Sequence, residues 1–545
     1  MEMTGGEALA AQLAREGVTT VFGVPGVQLD HAFDALYGQR DRIRFLGPRH
    51  EQAATYMADG YARAGGGVGV AMVVPGPGVL NASAGLATAY ACSSPMLLLA
   101  GQIASGHIGE GLGLLHELPD QTGVLASLTK WTARAGRPAE IPALVREAVF
   151  RLRSGRPRPV ALELPPDVLA AREDVALVEP PGDDRERGRP RPDPGRLRAA
   201  AALLRRAARP LLVVGGGALR ADAGSAVVAL AERLGAPVMV TDDGRGVVSD
   251  RHPLVVTSLG GRQLIGEADV VLGVGTRFVN LRGLRLAARG QVVLLNADPS
   301  DLGGVRAPTV AIEGDAALGL EALLAELDGE RTRPPTWADL EAVRADAARQ
   351  IAAIEPQAGY VRALREAIPE DGVLVNELTQ VGYLARIAYP VYRPHTLLGP
   401  GYQGTLGYGF PTALGVQVAR PDAAVVAITG DGGFGWSLQE LATAQRYGLP
   451  LVTVVFNDGA FGNVRRTQQA EFGGRLIGTD LANPDFVQLA RAFGIHGERV
   501  DSPAGMAGAI SAALRARAPT LVEVQVGDMP SPWPLLTGVS AADRR

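Results

Sequence analysis

Short apolar runs alternate with helix-like segments along most of the chain. In the first 170 residues these runs are VTTVFGVPG, RIRFLG, VGVAMVVPGPG, PMLLLAGQ and PVALELPPD. Apolar runs of this length are typical of strands buried on both faces, and their regular alternation with helices predicts parallel sheets covered on both sides. We therefore predict an α/β fold in which each domain has a central, mostly parallel sheet flanked by helices.

Changes in composition predict where the domains end. Residues 171–194 are rich in proline, arginine, aspartate and glutamate, and such a segment buries too little apolar surface to fold alone. A length of 545 residues also exceeds the roughly 250–300 residues at which a single core stops growing. The predicted segments are a first domain at 1–170, a linker at 171–194, a middle domain at 195–330, a helical connector at 331–355, a third domain at 356–530 and a tail at 531–545.

Composition narrows the class of protein. A net charge of −4 gives no basic surface for nucleic acid. No apolar run reaches the roughly 18 residues of a membrane span, and the N-terminus lacks the pattern of a signal peptide, so a cytoplasmic protein is expected. The single cysteine, Cys92, cannot form an internal disulfide and is expected to be a small core residue.

The third domain contains the most specific pattern. An apolar run at 424–428 leads into the Gly-Asp-Gly of Gly430–Gly432. The next 24 residues end in a second apolar run, which leads into Asn457–Gly459. Because the carboxyl ends of parallel strands share one sheet edge, Asp431 and Asn457 could together hold a hard cation that grips phosphate. The alternative is that the Gly-Asp-Gly is only a turn, as most Asp-Gly pairs are.

At this spacing the segment resembles the signature of thiamine diphosphate-dependent enzymes of the acetolactate synthase, pyruvate oxidase and 2-oxo acid decarboxylase family. The resemblance covers nearly the whole chain. It implies a pyrimidine-binding first domain and a diphosphate-binding third domain around a Rossmann-like middle domain, with thiamine diphosphate and Mg²⁺ as cofactors. The implied metal ligands are the side chains of Asp431 and Asn457 and the carbonyl of Gly459. The glycines that would let the backbone approach the cofactor are Gly430, Gly432 and Gly433.

Glu51 is the second candidate residue. It follows the predicted strand RIRFLG and begins the helix-like segment EQAATYMADGYAR, which places it at a strand end, where ligands gather. The alternative is a first-turn acid that the helix dipole stabilises. The resemblance implies that Glu51 shares a proton with N1′ of the cofactor's aminopyrimidine and so activates the thiazolium C2 position.

The glycine-rich segment GYQGTLGYG is a poor helix and a poor strand and is predicted to be a close-contact loop. The resemblance implies that Leu406 wedges under the cofactor and forces its two rings into a V. It also implies that the Gly404 carbonyl accepts a hydrogen bond from the 4′-amino group. A loop that serves packing alone is the alternative. Thr379 and Gln380 match a segment that touches the diphosphate, although Val381 stands where acetolactate synthases have histidine.

The residues implied at the substrate pocket depart from those of acetolactate synthases. Where those enzymes have Phe-Gln-Glu, this chain has a longer glycine-rich loop ending in His116 and Glu117, and Thr467 replaces their acceptor-selecting tryptophan. His116 and Glu117 add titratable groups, and loss of the tryptophan would reshape the acceptor pocket. For His116 and Glu117 a surface contact is the alternative. The resemblance places Gln102 and Lys130 beside the same reaction centre.

The middle domain contains three consecutive glycines, Gly215–Gly217, after a predicted strand. They could form half of a dinucleotide-binding turn, but without the complete fingerprint a tight strand-to-helix turn is the better interpretation. The following part of the domain is also shorter than in FAD-binding relatives. FAD is therefore a less favoured cofactor.

The predicted function is thiamine diphosphate- and Mg²⁺-dependent decarboxylation of a 2-oxo acid, followed by carboligation to a second carbonyl compound. The alternatives are a decarboxylase or lyase without carboligation, an FAD-containing enzyme similar to pyruvate oxidase, and a catalytically silent paralogue. The resemblance further implies small-molecule 2-oxo acid or aldehyde substrates. It also implies a homodimer or homotetramer in which each cofactor lies between two subunits.

Overall fold

Three parallel sheets of six strands each form the framework of the described chain. The computed structural model describes residues 1–180, 182, 184–278, 286–287, 290–303, 307–328, 336–337 and 339–537. Apolar clusters pack on both faces of the sheets, as buried parallel strands require. The predicted α/β fold is confirmed. No helix among the described residues is both long enough and apolar enough to span a membrane.

The first domain alternates strands and helices. Its elements are β1 Glu2–Thr4, α1 Gly5–Arg15, β2 Thr20–Gly23, α2 Asp30–Gly38, β3 Arg44–Leu46, α3 Glu51–Arg63, β4 Gly69–Val73, α4 Pro77–Cys92, β5 Met96–Gly101, α5 Gln121–Leu128, β6 Thr132–Arg134, α6 Ile141–Arg153, β7 Val160–Leu164, α7 Pro166–Ala170 and β8 Arg172–Asp174. The main sheet has the order β3-β2-β4-β5-β7-β6. The edge strand β6 has no signature in the apolar pattern, because its three residues are partly exposed.

The first residues of the predicted linker form a strand, which corrects that part of the expectation. β8 pairs with β1 in antiparallel fashion, with Met3 opposite Glu173. The N-terminal amino group also donates to Asp174 Oδ1 at 2.6 Å. Backbone pairing rather than apolar burial orders this segment, so its composition contains no signal for it.

The middle domain and the connector follow. Their elements are α8 Asp184–Arg187, α9 Pro194–Arg206, β9 Pro210–Val214, α10 Gly216–Arg220, α11 Gly224–Leu234, β10 Val238–Val240, β11 Val255–Thr257, α12 Ser258–Ile265, β12 Val270–Val274, β13 Gln291–Asn296, β14 Val310–Glu313, α13 Ala316–Glu326 and α14 Leu340–Ala352. The sheet order is β11-β10-β9-β12-β13-β14. The chain therefore changes direction across the sheet between β9 and β12.

The glycines after β9 allow two backbones to touch. A Cβ on Gly217 would lie 2.6 Å from the Cα of Gly275, and one on Gly215 would lie 2.5 Å from the Gly275 carbonyl oxygen. No side chain fits at these distances. The contact between the ends of β9 and β12 thus accounts for the glycines and favours the tight-turn interpretation.

The third domain carries the candidate metal site. Its elements are α15 Gln357–Ala367, β15 Val373–Asn376, α16 Gln380–Ala388, β16 Leu397–Leu398, α17 Gly409–Ala419, β17 Val425–Gly430, α18 Asp431–Phe434, α19 Leu441–Tyr447, β18 Val452–Asn457, α20 Gly462–Glu471, α21 Phe486–Ala492, β19 His496–Val500, α22 Pro503–Ala516, β20 Thr520–Gln525 and α23 Trp533–Thr537. The sheet order is β16-β15-β17-β18-β20-β19, so β17 and β18, which lead to the site, are central neighbours.

The first and third domains share one apolar core. Helices α3 and α17 approach each other there at the distance of backbone contact. A Cβ on Gly60 would lie 2.2 Å from the Thr412 carbonyl oxygen, and one on Gly415 would lie 1.9 Å from the Met57 carbonyl oxygen. The position of Glu51, the first residue of α3, is therefore fixed relative to the third domain.

Cys92 is a core residue, as predicted. It is free and buried at the end of α4, and its Sγ lies 3.6 Å from the Gly399 carbonyl oxygen. Burial raises the pKa of this thiol to about 12. Cys92 therefore stays neutral, and its place in the interface between the first and third domains is a packing role.

Replacing Gly415 with alanine is expected to destabilise the protein by about 1–3 kcal/mol, because the new methyl group would collide with the α3 backbone. Gly508→Ala is the matched control, since a Cβ on that glycine in α22 meets no atom within 4 Å. The control should gain about 0.5–1 kcal/mol from helix propensity. Urea denaturation measures both changes, and equal effects of the two substitutions would contradict the close helix contact.

Candidate active site

The side chains of Asp431 and Asn457 converge at the carboxyl edge of the third sheet. β17 and β18 are parallel neighbours, with Gly430 opposite Phe456. The Nδ2 atom of Asn483 donates to Asp431 Oδ2 at 2.6 Å and to Asn457 Oδ1 at 3.0 Å. The two oxygens therefore point at one common position, as they would toward a bound cation.

The electrostatics of this position suit a hard cation. Burial raises the pKa of Asp431, and hydrogen bonds from Asn483 and from the Gly432 amide oppose that rise. Burial and then the negative charge of Asp431 raise the pKa of Asp458 to about 6. A divalent ion would relieve the repulsion between these carboxylates, and Mg²⁺ prefers oxygen ligands of this kind. The residues present thus fit a magnesium ion.

The third implied ligand, the carbonyl of Gly459, lies on a sharp turn after β18. Gly459 has a φ of +66°, which residues with a side chain rarely adopt. Its carbonyl oxygen accepts a hydrogen bond from the Leu481 amide at 2.9 Å. Asn457 is oriented from the other side by Glu523, whose Oε1 accepts from Asn457 Nδ2 at 2.8 Å. That bond leaves Asn457 Oδ1 facing Asp431, a common function of partners behind metal ligands.

A buried carboxylate holds the glycine-rich loop at 401–409. Glu377 follows β15, is 1% exposed, and accepts hydrogen bonds from the amides of Gly407 at 2.9 Å and Gly409 at 2.7 Å. Burial raises its pKa to about 7, against the effect of these hydrogen bonds. A Cβ on Gly433 would lie 2.1 Å from Glu377 Oε1. Glu377 therefore links the loop to the turn that carries the first metal ligand.

The middle of this loop points outward while its flanks are anchored. Thr405 Oγ1 shares a hydrogen bond of 2.7 Å with Thr88 Oγ1 on α4. Gly404 has a φ of +57°, and Leu406 is 38% exposed. An exposed leucine between anchored neighbours suits the contact with the cofactor, which stays a prediction.

Glu51 occupies the first position of α3. Its Oε2 accepts a hydrogen bond from Asn81 Nδ2 of α4 at 3.1 Å. The helix is capped by His50, whose Nδ1 accepts from the Gln52 amide at 3.2 Å. His50 thus provides the cap, Glu51 is the acid of the first turn, and its role at the cofactor stays a prediction.

Three segments of the chain match profiles of one enzyme family. The N-terminal TPP binding domain of thiamine pyrophosphate enzymes matches residues 3–124, the central domain matches 197–323, and the C-terminal TPP binding domain matches 379–524. The chain belongs to the thiamine pyrophosphate enzymes. Thiamine pyrophosphate and thiamine diphosphate are the same compound, so the predicted family and its organic cofactor are confirmed.

Relatives cover almost the whole chain. It is 37% identical to the probable 2-ketoarginine decarboxylase AruI of Pseudomonas aeruginosa, over 90% of this chain and 88% of that protein. It is 34% identical to a probable acetolactate synthase large subunit of Methanocaldococcus jannaschii, over 96% and 92%. It is 33% identical to the acetolactate synthase isozyme 3 large subunit of Escherichia coli, over 94% and 93%. The chain is thus a thiamine diphosphate-dependent carboligase or decarboxylase.

Thr379 and Gln380 lie at the start of α16, close to the carboxyl edge of the third domain's sheet. Thr379 caps the helix, since its Oγ1 accepts from the Gly382 amide at 2.8 Å. The Oε1 atom of Gln380 accepts from the guanidinium of Arg466, whose Nη1 is buried without a hydrogen-bond partner among the described residues. Val381, which stands where acetolactate synthases have histidine, is buried in the apolar core. It therefore makes no polar contact of the kind a histidine could make.

Two of the expected pocket residues have structural contacts instead. The Lys130 ammonium group donates to three backbone carbonyl oxygens at and after the end of α6, and burial lowers its pKa to about 8. Gln102 is 3% exposed and donates to Glu163 at 3.0 Å. The placement of both residues beside the reaction centre stays a prediction.

His116 keeps the features of a pocket residue, whereas Glu117 does not. The φ of His116 is +69°, a strained conformation that costs about 1–3 kcal/mol outside glycine. Its Nδ1 is buried and has no hydrogen-bond partner in the described part of the chain. Glu117 accepts from the amides of Gly111 at 3.1 Å and Leu114 at 2.9 Å and so closes the loop. The contact of His116 with a substrate stays a prediction.

Three residues of the site escaped the sequence analysis. Glu377 could have been found, because it is an acid directly after an apolar strand at the same sheet edge as Asp431. Asn483 lies 26 positions after Asn457 in an irregular segment and has no local signal. Asn81 is a single polar residue in α4, and only its contact with Glu51 distinguishes it.

Replacing Asn483 with alanine is expected to weaken Mg²⁺ binding roughly 10- to 100-fold, as loss of a partner behind metal ligands typically does. Calorimetric titration with Mg²⁺ in the presence of thiamine diphosphate measures the change. Gln488→Ala is the matched control, because it truncates an exposed neutral amide on α21 that does not touch the two ligands. Wild-type affinity in Asn483→Ala would remove Asn483 from the metal site.

Proposed function

We propose that the chain uses thiamine diphosphate held by Mg²⁺ to decarboxylate a 2-oxo acid and to join the remaining acyl unit to a second carbonyl compound. The observation that supports this most directly is the convergence of Asp431 Oδ2 and Asn457 Oδ1 on the Asn483 amide. The carboxyl edge of a parallel sheet is where α/β proteins commonly bind phosphate-bearing ligands. When bound, the cofactor supplies a nucleophilic carbon and an electron sink.

The third domain supplies the tether in this proposal. The side chains of Asp431 and Asn457 and the carbonyl of Gly459 would hold Mg²⁺, which would anchor the cofactor's diphosphate. Thr379 and Gln380 lie beside the diphosphate. The glycines that let the backbone approach it are Gly430, Gly432 and Gly433.

The remaining residues would shape the reactive end of the site. Leu406 would support the cofactor in its bent form, and the Gly404 carbonyl would accept a hydrogen bond from the 4′-amino group. Glu51 would hold a proton at N1′ of the aminopyrimidine, and Asn81 donates to the Glu51 carboxylate at 3.1 Å. His116 would lie beside the substrate.

A second copy of the chain completes the site, as a homodimer or homotetramer. Large apolar side chains near the candidate residues are exposed to an unusual extent. They are Val27 at 63%, Leu80 at 51%, Leu406 at 38% and Trp436 at 57%. Leu80 precedes Asn81, and Trp436 follows the Gly-Asp-Gly-Gly turn, so a partner that covers these side chains would also enclose the cofactor.

Simple decarboxylation is a second candidate outcome, and specific observations favour each. The acetolactate synthases among the relatives favour carboligation. Thr467 favours simple decarboxylation, because it is exposed on α20, donates to the Asn463 carbonyl at 3.1 Å, and offers no aromatic wall to an acceptor. Similarity to a probable 2-ketoarginine decarboxylase points the same way.

FAD has no comparable support and is not part of the proposal. The contact with Gly275 accounts for Gly215 and Gly217, and a Cβ on Gly216 would lie 3.0 Å from the Asp243 carbonyl oxygen. The helix that follows, α10, has five residues, which is short for a helix whose N-terminus holds a dinucleotide. A catalytically silent paralogue is disfavoured, because Glu51, Asp431 and Asn457 are all present.

Glu51→Gln is expected to slow C2 proton exchange of bound thiamine diphosphate about 10²- to 10⁴-fold, because the amide keeps the shape of the side chain but cannot share a proton. Quenched-flow hydrogen–deuterium exchange with NMR detection measures the rate, and a fluorescence titration should show unchanged cofactor affinity. Asp431→Ala should have a different effect, because it should lose Mg²⁺-dependent binding of the cofactor itself. Normal exchange in Glu51→Gln would remove Glu51 from its assigned role.

The reaction products distinguish simple decarboxylation from decarboxylation followed by carboligation. A panel of 2-oxo acids that includes pyruvate and 2-ketoarginine is incubated with and without an aldehyde acceptor, and carbon dioxide and products are quantified. A carboligase yields hydroxyketone or acetolactate-type products, whereas a decarboxylase yields the aldehyde in both cases. Thr467→Trp is expected to shift acceptor choice toward small 2-oxo acids, with Thr467→Val as the control for loss of the hydroxyl. No carbon dioxide from any acid would contradict the proposed function.

A further inference from the structure

We propose that Glu440, a buried carboxylate of the third domain, is the positioning residue that holds Glu51 at the cofactor. The inference rests on the proposed function, since it needs Glu51 to exchange a proton with the aminopyrimidine. Glu440 itself touches neither substrate nor cofactor in this proposal. It acts on the main chain that leads into α3.

The main chain just before Glu51 is bound to the third domain through this carboxylate. Glu440 is 0% exposed, and its Oε1 and Oε2 lie 3.2 and 3.0 Å from the Arg49 amide nitrogen. Both carboxylate oxygens therefore lie at the Arg49 N–H group, two residues ahead of the proton-relay residue.

A second contact anchors the beginning of the same turn. The Gly47 amide donates to the Tyr447 hydroxyl at 2.7 Å. Tyr447 ends α19, and Glu440 immediately precedes that helix. One short segment of the third domain thus holds residues 47–50 at both ends. The same segment continues from the turn that carries Asp431, so the metal tether and the relay anchor belong to one stretch of chain.

The residue type suits this task better than a neutral acceptor would. Glu440 accepts from the Thr443 hydroxyl at 2.5 Å as well as from the Arg49 amide at 3.0 Å. A carboxylate has about four acceptor sites, whereas a carboxamide has two on a single oxygen. Hydrogen bonds to a carboxylate are also about twice as strong as neutral ones. Burial raises the pKa of Glu440, and these hydrogen bonds oppose the rise.

Small displacements at this turn matter for the proposed chemistry. Proton exchange needs heavy atoms roughly 2.6–3.2 Å apart, and a shift of about 1 Å can slow a reaction about 10²-fold. Downstream of Glu51, α3 is fixed by backbone contact with α17, where a Cβ on Gly415 would lie 1.9 Å from Met57. Upstream, Glu440 holds the turn. Glu51 is thereby restrained from both sides.

The test compares Glu440→Gln with the wild-type holoenzyme. We expect C2 proton exchange of bound thiamine diphosphate to fall roughly 10- to 100-fold, with cofactor affinity unchanged. The pH midpoint of the circular dichroism signal that distinguishes the amino and imino forms of the cofactor should also shift. Glu440→Asp, which keeps the charge on a shorter side chain, should recover part of the rate. Gln445→Ala, an exposed position on α19, is the control and should match the wild type.

If Glu440→Gln does not fold, two further measurements test whether this segment holds the turn before Glu51. Tyr447→Phe removes the second anchor without changing a buried charge and should slow exchange severalfold. Amide hydrogen exchange of the wild type should show a protected Arg49 amide. Fast exchange of this amide, or normal C2 exchange in Glu440→Gln while Glu51→Gln is impaired, would overturn the inference alone. Normal C2 exchange in Glu51→Gln would instead remove Glu51 from the role that the proposed function assigns to it.

Discussion

Helices α3 and α17 touch through their backbones, and the arrangement of the site depends on that contact. The carbonyl oxygens of Met57 and Thr412 lie where side chains of Gly415 and Gly60 would otherwise be. Because no side chain separates the helices, their spacing cannot relax by a change of rotamer. α3 begins at Glu51, and α17 follows the glycine-rich loop. The contact therefore fixes the first domain's acid relative to the third domain of the same chain.

Two buried carboxylates also hold single turns of the backbone in place. Glu377 accepts from two amides of the glycine-rich loop, and Glu440 accepts from the turn before Glu51. Burial raises the pKa of each of them, which shows that the interior opposes their charge. Burying a charged group costs several kcal/mol unless hydrogen bonds compensate. The fold therefore gives up some stability at these points, and the loops around the cofactor gain fixed positions.

Residue type alone did not show what two of the predicted pocket residues contact. Lys130 and Gln102 have the polar groups that a substrate pocket uses, yet Lys130 binds backbone carbonyls and Gln102 binds Glu163. A lysine near an exposed helix end and a lysine in a pocket have the same sequence signature. The difference lies in which acceptors the fold brings within about 3 Å, and those acceptors are distant in sequence. His116 is distinguished from Glu117 in the same way, by its unpaired Nδ1.

The sequence by itself determined the class of sheet, the family and where the two candidate metal ligands lie along the chain. Those features follow from local order, since an apolar run buries itself as a strand and the residue after it must lie at the sheet edge. Short edge strands such as β6 and β16 left no such pattern. Only the tertiary structure decided which residues Asn483, Glu377 and Glu440 contact. Each acts on a residue far away along the chain, and periodicity records how a segment folds but not which distant segment it meets.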